Sequence, residues 1–286
     1  MAEKPNEPLR LLTITAHPHD ITYTLGTNAH HIERGDSVTV VSLTDGATTH
    51  DEELEEELRR PPEERRREVL DRPRDSKSAT KQAELERVCA IFGITDVRMM
   101  PFTDNPIPRS PEIRAALDAI LHEIRPHVIM THAPYNYPHG GRYSLLEHDH
   151  AIAGVLVEEA TQRIERPDPN REHSTHRVGQ TFYIGVEFGW TDIDVFVDIG
   201  DQVANRIKAE AVYESQGHTS ELARKRIEAF CGYFGWFGGA GYAEPFIRAK
   251  AQQTTHLPLT DLEISTSKLT EREEIERKGY FASGRE

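Results

Sequence analysis

The apolar run over residues 9–15 ends in Ala16-His17-Pro18-His19-Asp20, and that junction limits what the chain can become. Leu11, Leu12 and Ile14, set among β-branched Thr13 and Thr15, read as a short buried strand. Residues 21–33 then read as a helix stopped by Arg34-Gly35, and Ser37–Thr44 as a second strand ending at Asp45-Gly46. Strand, helix and strand in this span make a βαβ unit with a parallel pair. In an open α/β sheet, ligands bind at the carboxyl ends of such strands, where His17, His19 and Asp20 emerge.

The pattern repeats downstream. Residues 77–93 read as a helix with Ala83, Leu85, Val88, Ile91 and Phe92 inward, Asp96–Phe102 as a strand, and 111–125 as a helix opened by Pro111. A strand over 127–130 runs out at Thr131-His132-Ala133-Pro134, and a loop rich in turn formers and aromatics leads into Glu147-His148-Asp149-His150. That cluster opens a helix to about Arg163, in which Ala151, Ala153 and Gly154 allow close approach to the sheet. Further strands are expected over 181–186 and 194–199, and helices over 201–215 and 221–234.

An α/β fold follows, a mostly parallel sheet flanked by helices, as one domain over residues 1–250 with a charged extension, 251–286, to which no fold is assigned. Residues 51–76 interrupt the pattern, being dense in both charge signs and poor in apolar residues. They predict an exposed helical or partly disordered insertion, with a lid over the site as the functional alternative. No internal repeat is visible.

A formal charge of −14 argues against nucleic acid or anionic membrane as a partner. The polar start lacks an apolar leader core, and nothing approaches the run of about 18 apolar residues that a membrane span needs. A soluble cytoplasmic protein is expected, with Cys89 and Cys231 as buried free thiols. Imidazole and carboxylate donors are the ligand set of a catalytic zinc. Two such clusters, each at the mouth of an αβ unit, suggest one metal site built from both.

These motifs resemble those of the LmbE-like, or PIG-L, family of zinc-dependent de-N-acetylases, which remove acetyl from N-acetylglucosamine units of varied conjugates. The family signature Ala-His-Pro-Asp-Asp is matched by residues 16–20, and His-x-Asp-His with a glycine four residues on by residues 147–150 and Gly154. Thr44-Asp45-Gly46, the stretch 194–216 and Tyr242-Ala243-Glu244-Pro245-Phe246 add to the likeness. The resemblance implies a Rossmann-like fold, one zinc per chain on His17, Asp20 and His150, and Asp149 as the carboxylate that orients a histidine. It also implies a small N-acetylated amino-sugar conjugate or related amide as substrate.

Two positions depart from the family pattern. Its general base is replaced by His19, and its second-motif histidine, which helps to stabilise the oxyanion or protonate the leaving amine, by Glu147. Three readings follow: a role reversal, with Glu147 as base and His19 as donor; His19 as base with His148 in place of the missing histidine; or His19 or Glu147 as an extra ligand that slows turnover. Tyr143 is a candidate for the oxyanion, His132 and His139 for substrate contact, and Asp45 for a sugar hydroxyl or a turn cap. The stretch 236–241 suits a pocket wall or a tight turn, while His30 and His31 read as surface or packing residues. A metal-dependent deacetylase is the leading function, ahead of a metal-binding pseudoenzyme of the same fold and of a metal phosphoesterase, for which a second ligand set is missing. Whether the chain assembles as a homo-oligomer stays open.

Overall fold

The alternation of apolar runs and amphipathic helices closes into one seven-stranded sheet in the computed structural model, which describes residues 7–135, 148–169, 173–185 and 188–279. The strand β1 (Arg10–Thr15) lies between β2 (Ser37–Thr44) and β4 (Val128–His132), parallel to both. Outside them run β3 (Asp96–Phe102) beside β2 and β5 (Gln180–Ile184) beside β4, again parallel. The chain therefore winds outward from β1 to β3, then crosses back to β4. The crevice between the carboxyl ends of β1 and β4 is a topological switch point, where this architecture binds ligands.

Residues 11–15 of β1 are buried on both faces, as a central parallel strand requires. Leu11 packs with Leu25, Val40, Leu85, Val88 and Met130. These join the sheet to α1 (Leu25–Glu33) and α4 (Arg74–Ile91). Leu12 and Ile14 face the other way, against Ile113, Leu117, Ile152 and Leu156 of α5 (Pro111–Ile124) and α6 (Asp149–Glu165). Each such side chain withdrawn from water contributes roughly 1.5–3 kcal/mol before the entropy of ordering is counted.

The charged insertion is helical, holding α2 (Glu52–Arg59) and the short α3 (Arg67–Leu70). Its one surprise is Glu57, a fully buried carboxylate that accepts hydrogen bonds from the Arg66 backbone and guanidinium. Beyond β5 come β6 (Val195–Asp198), α7 (Val203–Glu210) and α8 (Ser220–Gly238). Residues 235–238, expected outside the helix, continue it to Gly239, whose φ of 74° ends it.

The seventh strand, β7 (Ala243–Arg248), was not foreseen, and it inserts antiparallel between β5 and β6. Pro245 reads as a strand breaker, but β5 pairs only with Phe246 through Arg248, so no ladder bond is lost on that side. The extension carries two exposed helices, α9 (Asp261–Thr266) and α10 (Glu271–Lys278), each opened by a Thr-x-x-Glu capping box. No described helix is long and apolar enough to cross a membrane, and both cysteines are buried free thiols.

Candidate metal and catalytic site

After β1 the chain enters a 3₁₀ turn over Pro18–Tyr23, with Pro18 at its first position. The turn brings Asp20 back beneath His17, so that Asp20 Oδ2 accepts from the His17 backbone N–H at 2.9 Å and lies 3.2 Å from His17 Nδ1. Thr44 at the end of β2 fixes the same junction by donating its hydroxyl to the Ala16 carbonyl. A side chain at Gly46 would meet the Pro18 ring at 2.7 Å, so the adjoining turn needs a residue without one.

The second cluster arrives on the first turn of α6. His148 caps that helix, its Nδ1 accepting from the His150 N–H at 3.3 Å. Gly154 holds the helix against β4, because a Cβ there would lie 2.4 Å from the His132 carbonyl oxygen. His150 Nε2 thereby reaches within 3.4 Å of Asp20 Oδ2, and its ring stacks on His132 at 4.1 Å. Among the described residues, His17, Asp20 and His150 form a group whose ligand atoms all lie within 4.8 Å of one another.

Asp149 joins the two motifs. Its Oδ2 lies 3.0 Å from His17 Nε2, and its carboxylate accepts the backbone N–H groups of Asn105 and Ile107. Nε2 of His17 is thus engaged by Asp149, leaving Nδ1 turned to Asp20. This is the arrangement of an outer carboxylate orienting a metal-binding imidazole.

The charges tell the same story. Burial disfavours a charged imidazole, yet Asp20 and Asp149 outweigh it and raise His17 to about 10. Burial also opposes ionisation of Asp20, but His150, His19 and His17 hold its pKa well below the ordinary carboxylate range. His132, buried beside His150, is pushed down to about 3 and stays neutral. Asp20 Oδ1, fully enclosed, accepts no directed hydrogen bond among the described residues, while its Oδ2 lies 3.2 Å from His132 Nε2. Ionised carboxylates, a neutral His132 and an enclosed Asp20 oxygen fit a divalent cation, which would take the place of the proton now held on His17.

A cavity of about 340 Å³ opens beside this group, lined by His17, His50, Asn105, His148, Asp149 and His150 among others. His19 is not part of that lining; its Nε2 lies 3.1 Å from Asp20 Oδ1, and burial keeps it well below the ordinary imidazole value. Two expected substrate contacts sit elsewhere. His132 is fully buried behind Asp20, because it is the last residue of a central strand and not a loop residue. Asp45 pairs with Arg74 at 2.6 Å and caps its own turn through the Ala47 N–H, so the turn role is the one occupied. Glu147, Tyr143 and His139 lie outside the described residues.

Sequence reasoning missed His50 and Asp104. Both follow parallel strands at the same sheet edge, β2 and β3, and that position was the signal that could have found them. Buried Asp104 accepts the backbone N–H groups of Thr48 and Thr49, tying the loop after β2 to the loop that holds Asp149.

Comparison with known proteins agrees with this geometry. The sequence profile of the PIG-L family, described as GlcNAc-PI de-N-acetylase, matches residues 12–161. A diacetylchitobiose deacetylase from Thermococcus kodakarensis is 28% identical over 251 residues, covering 84% of this chain and 85% of the relative. Among solved structures, the N,N′-diacetylchitobiose deacetylase from Pyrococcus horikoshii superposes with a TM-score of 0.67 at 22% identity, over 88% of each chain. The 4-carboxy-2-hydroxymuconate hydratase from Pseudomonas putida KT2440 superposes with a TM-score of 0.66 at 18% identity, over 87% of this chain and 99% of that one. The two structural likenesses speak to fold alone. The profile spans both motifs and more than half of the sequence, and the chain belongs to the PIG-L (LmbE-like) family.

Proposed function

We propose that the protein is a zinc-dependent deacetylase that hydrolyses the acetamide of an N-acetylglucosamine-type conjugate. The observation that carries this reading is the buried His17, Asp20 and His150 group opening on a cavity, in a chain whose family and sequence relative are named for de-N-acetylation. His17, Asp20 and His150 would hold the ion. Zinc bound there supplies Lewis-acid chemistry, polarising an amide carbonyl and making water acidic near neutral pH.

The chain's own groups divide the remaining work. Asp149 fixes the His17 ring and balances its charge. His148 spends Nδ1 on its helix cap, which places the ring proton on Nε2 and offers a donor to the carbonyl oxygen as negative charge develops. Glu147, next in sequence to His148, takes the proton from the attacking water. His19 supports Asp20 from behind, a role that suits its absence from the cavity wall.

Acetate release from a panel of N-acetylglucosamine conjugates, with zinc supplied to the full chain, tests the proposal. Release that Asp20→Asn abolishes is the expected result. No release from any conjugate, with one zinc bound per chain, would favour the pseudoenzyme.

A further inference from the structure

His50 belongs to neither motif, yet its ring lines the cavity beside His17, His148 and His150. Its backbone is unusual: φ is 56°, the left-handed region, which costs a residue with a Cβ roughly 1–2 kcal/mol. Three contacts impose it. The His50 carbonyl accepts from the buried Lys81 ammonium at 2.9 Å, Asp104 holds the preceding Thr48 and Thr49 N–H groups, and the following Asp51 caps α2 through Leu54 N–H. Glycine would make the same turn without strain, so the turn alone does not account for an imidazole here.

The ring is oriented as well as placed. It meets His19 edge-on, with centroids 4.8 Å apart. Nδ1 lies 3.6 Å from Glu52 Oε1, too long for a hydrogen bond, but the carboxylate favours the ring proton on that nitrogen. Nε2 then keeps its lone pair. Desolvation holds the ring below the ordinary imidazole value, consistent with a neutral acceptor.

We propose that His50 is a further catalytic residue whose Nε2 accepts the N–H of the acetamide while His17, Asp20 and His150 face its carbonyl. This rests on the deacetylase reading and deepens it. The amide N–H is the one group at the scissile bond that an acetyl ester lacks, so His50 gives the site its preference for amides over esters.

His50→Gly suits the test, because glycine adopts the left-handed conformation freely and the loop keeps its anchors. The zinc-loaded full chain is assayed on an N-acetylglucosamine conjugate and on p-nitrophenyl acetate. Loss of one hydrogen bond at the reacting nitrogen should lower kcat/KM for the acetamide about ten-fold, change the ester rate less than about two-fold, and be partly rescued by added imidazole. Equal losses on both substrates, or none on the acetamide, overturn the assignment. A second readout is independent of turnover: in ¹⁵N-histidine NMR spectra, the resonances missing from His50→Gly should report an unprotonated Nε2, and a protonated Nε2 overturns it. Should the wild-type chain release no acetate from any acetamide, the deacetylase reading falls, and the role of His50 falls with it.

Discussion

Gly154 is where a single methyl group should separate stability from metal binding. In Gly154→Ala the new Cβ would stand 2.4 Å from the His132 carbonyl oxygen and 2.7 Å from the Ala133 carbonyl carbon and oxygen. Ordinary contact begins near 3.4 Å, and the obstacles are backbone atoms of the sheet, so α6 must retreat by about 1 Å. Overpacking of this kind costs about 1–3 kcal/mol, and the better helix propensity of alanine returns about 1 kcal/mol. The net loss of stability is therefore small, at most about 2 kcal/mol. The site fares worse, because Asp149 and His150 ride on the first turn of the same helix. A shift of about 1 Å in one ligand and its orienting carboxylate should weaken zinc binding roughly 10- to 100-fold and lower turnover about 100-fold. Urea unfolding of the metal-free chain gives the first quantity and calorimetric zinc titration the second. Wild-type zinc affinity in Gly154→Ala would refute the claim that this close approach positions His150.

Asp149→Asn should keep the fold, since the amide oxygen still accepts a backbone N–H, but should weaken zinc binding roughly 10- to 100-fold by freeing the His17 ring, as read by the same titration. Glu244→Ala removes the carboxylate that caps α1 through Gly26 and Thr27 and faces buried Arg206 at 3.3 Å; an uncompensated buried cation should cost about 3–5 kcal/mol in urea unfolding, and a loss below about 1 kcal/mol would contradict it. Burial alone would raise the pKa of Asp36, but hydrogen bonds from His31, the Leu9 N–H and Arg34 hold it below 3.8. Its contribution is thus complete above that value and is lost as pH falls through the folded-state pKa, so Asp36→Asn should be less stable than wild type near neutrality and show a shallower decline on acidification.

What the sequence disclosed and what it withheld have separate physical causes. Ser37–Thr44 was legible to the residue because a parallel strand buried inside the sheet is a continuous apolar or β-branched run between turn formers, and the edge strand Asp96–Phe102 because Val97, Met99, Met100 and Phe102 follow a helix at the same spacing. The convergence of His17, Asp20 and His150 was legible because all three sit where the sheet edge gathers the ends of such runs. The strand holding Pro245 was not, since whether a proline breaks a ladder depends on which neighbour it faces, and pairing is a long-range fact. The place of His132 was lost for a similar reason: β4 runs two residues further than its apolar run, and those residues decide between a loop side chain and a buried one. Glu57 and His50 look like ordinary surface residues beside a charged stretch, and their positions come from partners elsewhere in the chain, Arg66 in one case and Lys81 and Asp104 in the other.

The hydratase from Pseudomonas putida superposes about as well as the deacetylase from Pyrococcus horikoshii, so the sheet and its switch point do not choose the reaction. The choice must lie in the side chains brought to that edge. In this chain an imidazole, His19, precedes Asp20 in the first motif, and the cavity wall gains another, His50, from a loop outside both motifs. A base supplied by His19 would require its ring to leave Asp20, exposing a carboxylate that is now wholly enclosed. The other candidate base is the Glu147 carboxylate of the second motif. The separation is therefore measurable: Glu147→Gln should lower kcat by at least about 100-fold while leaving zinc affinity near wild type, because a general base contributes on that order without holding the ion. If Glu147→Gln retains full rate and His19→Ala loses it with zinc still bound, the proton goes to His19, and the packing that encloses Asp20 must open during turnover.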